Sequence, residues 1–321
     1  MILTVTLNTA LDITYRVRSL RPHASHHVHE VVERPGGKGV NVARVLAALG
    51  HEVTATGFAG GDTGRAVRDR LADTPGVVDA LVPVGGATRR TVAVVDELTG
   101  DTTQLNEPGP QITAAEWAAF QDTYGRLLGS ASAVALCGSL PPGVPVGAYA
   151  GLIRTARTAG VPVLLDTGGE PLRRGLAARP DIVKPNADEL AELTGSHDPQ
   201  RATHDARRRG AHAVVASLGP DGLLAHTPQG RWCAAPPTRL NGNPTGAGDS
   251  VVAGLLSGLV ENLPWPDRLT RAVALSAATV VAPVAGEFDR RVYEGLAGRV
   301  AVTGDAATTL ATPTSARAGR S

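Results

Sequence analysis

Residues 134–168 read VALCGSLPPGVPVGAYAGLIRTARTAGVPVLLDTG, and their pattern decides the architecture. Val134 to Cys137 is a short apolar run of the kind a buried strand shows. Val146 to Ala159 has helical periodicity, and Val161 to Leu165 is a second β-rich run. Strand, helix and strand in that order form a parallel crossover unit. The alternation extends outward through further β-rich runs at Leu3 to Leu7, Val53 to Phe58, Asp181 to Val183 and Val214 to Ser217. Helix-period segments lie at Gly39 to Leu49, Ala114 to Leu128 and Asp205 to Arg209. The predicted fold is α/β, a doubly wound, mainly parallel sheet flanked by helices. Such sheets bind ligands beyond the carboxyl ends of their strands. The residues there are polar or conformationally special: Gly138-Ser139-Leu140-Pro141, Asp166-Thr167-Gly168, Lys184-Pro185-Asn186 and Leu218-Gly219.

Residues 12–34 and 88–108 break the alternation. Their short polar/apolar alternations leave no room for helices and suit antiparallel strands, so they are expected to form a small β-sheet lid over the site. The α/β body then takes 1–11, 35–87 and 109–302. Residues 303–321, rich in Ala, Thr, Ser and Arg without periodicity, are expected to be a disordered tail. Two cysteines far apart suggest neither a disulfide framework nor a zinc site. The N-terminus lacks a basic leader and reaches polar Asn8 early, so a cytoplasmic protein is expected. Basic and acidic residues total 31 and 30, for a net charge of +1, which argues against nucleic-acid or membrane partners. Only two of the 31 basic residues are lysines, Lys38 and Lys184.

Four loops carry candidate chemistry. Asn243-Pro244-Thr245-Gly246-Ala247-Gly248-Asp249 enters the apolar run Val251 to Leu256, leaving amides free at a helix N-terminus to hold an anion. Asp249 among those donors is well placed to take a proton from an attacking hydroxyl, which points to phosphoryl transfer. As a bland alternative it caps the helix. Gly36-Gly37-Lys38-Gly39-Val40-Asn41 opens a second helix, with close backbone approach at the glycines, a compact charge at Lys38 and a donor-acceptor pair at Asn41. Lys184-Pro185-Asn186-Ala187-Asp188-Glu189 puts Asn186 and Glu189 on one face. That arrangement suits Mg²⁺ held partly through water, or equally a capping box. Ser217-Leu218-Gly219-Pro220-Asp221-Gly222 is a glycine-rich turn after a strand. The histidines at 23, 26, 27 and 29 are expected to lie along an exposed lid edge, because neighbours on a strand face opposite ways.

In this order the four loops resemble the PfkB (ribokinase-like) family of carbohydrate kinases, from residue 1 to about 300. Leu7-Asn8 with Asp12, Leu105-Asn106-Glu107-Pro108-Gly109-Pro110 and Gly138-Ser139-Leu140-Pro141 are similar to its hexose-phosphate branch. That branch holds 1-phosphofructokinase, tagatose-6-phosphate kinase and the minor 6-phosphofructokinase. The resemblance implies an ATP- and Mg²⁺-dependent enzyme converting a ketohexose phosphate to a bisphosphate, with fructose 1-phosphate or tagatose 6-phosphate as acceptor. It implies a catalytic base at Asp249 and an anion hole at Gly246, Ala247 and Gly248. The sugar side would be Asp12, Gly37, Lys38, Asn41 and Ser139, with Arg89 or its neighbour Arg90 on the substrate phosphate. The nucleotide side would be Lys184, Asn186, Ser217, Gly219 and Gly222, with the metal at Asn186 and Glu189. It also implies a homodimer through the lid. The loop departs from commoner forms of the family in reading Asn243-Pro244-Thr245 before its glycines. A sugar-phosphate sensor or a kinase of unphosphorylated sugars or nucleosides would share the fold.

Overall fold

Strand β1 (Ile2–Thr6) is buried along its whole length between β9 (Ala133–Cys137) and β4 (Val53–Ala59), parallel to both. The structure, a computed structural model, describes residues 1–240, 242–282 and 284–306. In chain order the remaining elements are β2 (Ala10–Val17), β3 (Glu30–Gly36), α1 (Lys38–Ala48), α2 (Gly61–Ala72), β5 (Val77–Asp79), β6 (Val82–Pro83), β7 (Arg89–Asp96) and β8 (Thr102–Asn106). There follow α3 (Ala114–Leu128), α4 (Ala148–Thr158), β10 (Val163–Asp166), α5 (Gly169–Ala177), β11 (Ile182–Val183), α6 (Ala187–Thr194), α7 (Pro199–Arg208) and β12 (Ala213–Ser217). The last described elements are β13 (Leu223–Thr227), β14 (Gly230–Ala235), α8 (Ala247–Val260), α9 (Trp265–Val280), α10 (Arg290–Ala297) and β15 (Ala301–Ala306).

The main sheet runs β15-β14-β13-β12-β11-β10-β9-β1-β4-β5, with β6 pairing the far end of β4. From β12 to β5 the neighbours are parallel, and β13, β14 and β15 continue it as an antiparallel margin. Helices cover both faces, so the inner strands read as unbroken apolar runs. Leu3, Leu136, Leu165 and Val214 point to one face and pack with Phe120, Tyr124 and Leu152 of α3 and α4. Ile2, Ala135, Leu164 and Val215 point to the other and pack with Val42 of α1, Leu255 of α8 and Leu269 of α9.

The lid is the four-stranded sheet β3-β2-β7-β8. Its outer pairs are antiparallel, as expected, while β2 and β7 run parallel at its centre. Leu11 and Ile13 of β2 and Val92 of β7 anchor one face on Val40, Val67 and Leu71. The opposite face carries Asp12, Arg89 and Thr91 toward the body.

The expected disordered tail is corrected at its start. Residues up to 306 form β15, paired with β14 from Ala301↔Ala235 to Ala306↔Gly230. A marginal strand of small residues has too little apolar content to announce itself. The rest of that tail, from 307 onward, lies outside the described residues. The helix expected at Asp205 to Arg209 is only the last part of α7, which starts at Pro199 behind the cap Asp198.

Helices α8 and α9 meet so closely that a Cβ on Gly254 would sit 2.6 Å from the Cα of Ala272. Glycine to alanine normally stabilises a helix interior by roughly 0.5–1 kcal/mol. Gly254→Ala is expected to do the reverse and destabilise by about 1–3 kcal/mol in urea denaturation through overpacking. Gly125→Ala in α3, where nothing lies within 4 Å of the added carbon, should stabilise. Equal, favourable shifts in both variants would contradict this packing.

Candidate active site

The carboxyl ends of β1, β10, β11 and β12 converge with the N-termini of α1 and α8 on one cleft of about 1330 Å³. At its floor lies Asp166, the last residue of β10, whose side chain is fully buried. Its Oδ1 is 3.2 Å from Lys38 Nζ and 3.3 Å from Lys184 Nζ, so the chain's two lysines share a single oxygen. Lys184 is buried and Lys38 half open to the cleft. Burial would lower the Lys38 pKa, but the carboxylates of Asp166, Asp249 and Glu189 outweigh it and hold the ammonium above its ordinary value.

Asp249, buried in the first turn of α8, accepts a hydrogen bond of 2.9 Å from Asn41 Nδ2 on α1. Its pKa is raised from 3.8 to about 7, chiefly by burial and further by the Asp166 charge, against the lowering effects of Lys38, Asn41 and Lys184. Gly246 caps α8 in the left-handed conformation (φ 83°), where an added Cβ would also fall 2.9 Å from that of Ala285. The loop carrying Ala285 is braced by Arg44, which donates to the Ala285 carbonyl and to Glu287, each at 2.8 Å.

One member of the expected anion hole is corrected. The Ala247 amide closes a turn onto the Pro244 carbonyl at 3.1 Å and is not free. Pro244 supplies an acceptor at the spacing that consumes this donor. The amides of Gly246 and Gly248 donate to no acceptor among the described residues, and Gly248 lines the cleft.

Every residue expected on the sugar side, Asp12, Gly37, Lys38, Asn41, Arg89 and Ser139, lines this same cleft. Arg89 donates through Nε to the Asn8 carbonyl at 3.1 Å. Arg90 turns outward to pair with Glu107 at 2.8 Å. Strand alternation separates them, since Arg89 shares its face with Thr91 and Asp12 while Arg90 falls opposite Leu11. The pKa of Asp12 rises to about 6, mainly through burial and against the pull of Arg89.

Of the residues expected on the nucleotide and metal side, Lys184, Asn186, Glu189 and Ser217 line the cleft. Asn186, Ser217, Gly219 and Gly222 wall an adjoining pocket of about 850 Å³ under α8 and α9. Asn186 and Glu189 do form the capping box, with both reciprocal bonds at 2.8 Å. That uses Asn186 Oδ1 and Glu189 Oε2 and leaves Glu189 Oε1 for a ligand. Asp166 Oδ2 is also buried without a hydrogen-bond partner. Glu189 Oε1 is a hard carboxylate oxygen in the cleft lining, of the kind that suits a magnesium ion arriving on phosphates and keeping its waters.

Sequence reading named Asp166 only as a polar residue after a strand and did not single out Arg44. Their roles depend on partners 128 and 241 residues away. In the histidine stretch, His26 bonds the Arg21 backbone and His29 pairs with Glu97 at 3.0 Å. Among the described residues no helix is long and apolar enough to cross a membrane.

The pfkB family carbohydrate kinase pattern matches residues 5–288. A 1-phosphofructokinase of Vibrio cholerae is 36% identical over 309 residues, covering 94% of this chain and 96% of the relative. Phosphofructokinase-2 of Escherichia coli in complex with fructose-6-phosphate is similar in structure with a TM-score of 0.86 at 30% identity, covering 92% of this chain and 98% of that one. A possible 1-phosphofructokinase of Thermotoga maritima gives a TM-score of 0.85 at 26% identity, covering 95% and 99%.

The elevated Asp249 pKa makes this residue a stability liability at high pH. In the unfolded chain the carboxyl ionises near 3.8, whereas in the fold it keeps its proton to about 7. The folded state therefore binds more protons between those values, and its stability falls as pH rises through that window. Asp249→Asn removes the penalty. It should be more stable than the parent at pH 8 by on the order of 2–4 kcal/mol in urea denaturation, with the gap closing toward pH 4. A constant difference across that range would contradict the buried-carboxylate account.

Proposed function

We propose that this chain, which belongs to the pfkB family of carbohydrate kinases, transfers the γ-phosphate of ATP to fructose 1-phosphate, giving fructose 1,6-bisphosphate. The observation that carries the reading is the meeting, in one cleft, of a buried carboxylate beside a free helix-terminal amide, Asp249 and Gly248, with the lid arginine Arg89. A kinase of an unphosphorylated sugar has no use for that guanidinium. The acceptor's identity is supported by the 36% identical 1-phosphofructokinase, and fructose 6-phosphate as a second acceptor by the E. coli neighbour that binds it.

The chemistry follows from these positions. ATP enters the pocket walled by Ser217, Gly219 and Gly222, and its terminal phosphate points toward Gly248, which borders both cavities. Lys184 and Lys38 face the phosphates with compact positive charge. Asp12, Asn41 and Ser139 hold the sugar hydroxyls, and Arg89 grips the phosphate already on the sugar. Asp249 in its ionised form accepts the proton of the attacking hydroxyl as the hydroxyl oxygen bonds to the γ-phosphorus and the bond from that phosphorus to the bridging oxygen breaks, releasing ADP. The Gly246 and Gly248 amides meet the charge that develops on the transferred group. Glu189, and Asn186 through water, would hold a magnesium ion, which would supply positive charge to the phosphate oxygens. The lid excludes water that would otherwise take the phosphoryl group.

The enzyme is further proposed to act in the cytoplasm as a homodimer through its lid. The lid's outer strands β3 and β8 have free edges, and Val31 and Leu105 expose 56% and 60% of their surface. A second copy would cover them. Leu105→Arg is expected to shift the protein to monomer in sedimentation; unchanged sedimentation of this variant would remove the lid from the interface.

In a coupled ADP-release assay, fructose 1-phosphate should be used with the highest kcat/KM among fructose 1-phosphate, tagatose 6-phosphate, fructose 6-phosphate, ribose and adenosine. Asp249→Asn should lower kcat by about 10²–10⁴-fold while still binding ATP. Arg89→Ala should raise KM for the sugar phosphate by about 10–100-fold. Preference for an unphosphorylated acceptor, or an indifferent Arg89→Ala, would refute the phosphosugar reading. An absence of ADP release with every acceptor would favour a sensor.

A further inference from the structure

The opposite edge of the main sheet, where β10, β11 and β12 begin, holds a second charged cleft, of about 550 Å³. Arg157 reaches it from the last turn of α4, Arg179 from just beyond α5, and Arg207 and Arg208 from the last turn of α7. Among the described residues that line the cleft a single carboxylate faces them, that of Asp181, and one of its oxygens already accepts the Val163 amide at 2.8 Å. None of the four guanidinium groups takes part in an ion pair among the described residues, although arginines elsewhere, such as Arg68, Arg90, Arg174 and Arg271, are paired.

Helix ends account for part of this. Arg157 donates to the Ala178 and Arg179 carbonyls at the end of α5 at 3.3 and 3.1 Å, as cations near helix C-termini do, and Arg207 donates to the His212 carbonyl just before β12 at 3.0 Å. Each contact leaves most of that guanidinium's donors unused. Arg179 and Arg208 make no side-chain hydrogen bond among the described residues, and Arg179 sits in the left-handed backbone region (φ 61°), which an L-residue seldom adopts. His226, stacked on His204 at 5.3 Å, walls the cleft, and its buried Nδ1 has no hydrogen-bond partner. Like charges gathered around one concavity repel one another until an anion joins them.

We propose that this rear cleft binds a small polyanion carrying two phosphoryl groups, of the pyrophosphate or sugar-bisphosphate class, separately from the catalytic cleft. Four forked donors suit two tetrahedral groups bound bidentately, and the volume admits a ligand of that size but no macromolecule. The inference does not depend on which sugar phosphate is the acceptor.

Inorganic pyrophosphate is the probe, titrated calorimetrically into the full chain and into Arg179→Ala/Arg208→Ala. Both side chains are exposed, and unchanged kcat and KM in the double variant will show that it is folded and that its catalytic cleft is intact. The parent is expected to show two classes of site and the variant one, with affinity at the lost site down at least tenfold. Fructose 1,6-bisphosphate in a second arm distinguishes a sugar bisphosphate from pyrophosphate as the tighter ligand. Superimposable titrations of parent and variant would overturn the proposal, as would rear-site binding of pyrophosphate no tighter than that of sulfate at equal ionic strength.

Discussion

The site is organised by a single oxygen atom. Asp166 Oδ1 holds two ammonium groups, one from the start of α1 and one from the end of β11, at 3.2 and 3.3 Å. A carboxylate with no exposure costs several kcal/mol to bury unless it is paired, and here two cations share that burden. The geometry also explains why a chain built almost entirely on arginine keeps lysine at these two places. A planar guanidinium spreads its donors across a fork, whereas two compact ammoniums can converge on one acceptor and still present their remaining N–H groups to a phosphate. Removing Asp166 would leave Lys184, with 4% exposure, as a buried charge without its ion-pair partner.

The same arrangement sets the basicity of Asp249. Burial and the Asp166 charge push its pKa up, while Lys38, Asn41 and Lys184 pull it down, and the balance falls at about 7. A general base works best when its pKa lies near the working pH, since it must be ionised yet still want the proton. A carboxylate in water would be ionised but too weak. One buried without cations would stay protonated. The lysines thus act twice, as the counter-charge of Asp166 and as the limit on how far burial can raise Asp249.

Much of this was legible in the sequence because it rests on local chemistry. The strand runs, the glycine loops and the capping box of Asn186 and Glu189 are patterns within a few positions, and the body and lid follow from them. What was illegible depends on register and distance. Arg89 and Arg90 become distinguishable only when β7 is laid beside β2, which turns one guanidinium inward and the other toward Glu107. The Ala247 amide looked available until the turn to Pro244 consumed it. Asp166 and Arg44 act across the fold, so no spacing announces them. Helix α2 hides for another reason: only Gly64, Val67 and Leu71 of its twelve residues are buried, too narrow a stripe to give a clear period.

The near-neutral composition also takes on a different meaning once the charges are placed. In the cleft at the carboxyl ends Lys38, Lys184 and Arg89 stand among Asp12, Glu107, Asp166, Glu189 and Asp249, so that each cation has an acidic counterpart and no excess of positive charge builds up. On the proposed reading, phosphates entering there would be held by directed donors, with acids close enough to move protons. At the rear, four arginines answer to Asp181 alone. A cleft of that kind can hold an anion, and its arginines come from the last turns of helices or just beyond one, and not from a helix N-terminus. One sheet therefore separates the two uses of positive charge: balanced and reactive at the carboxyl ends of its strands, unbalanced and purely attractive at their amino ends.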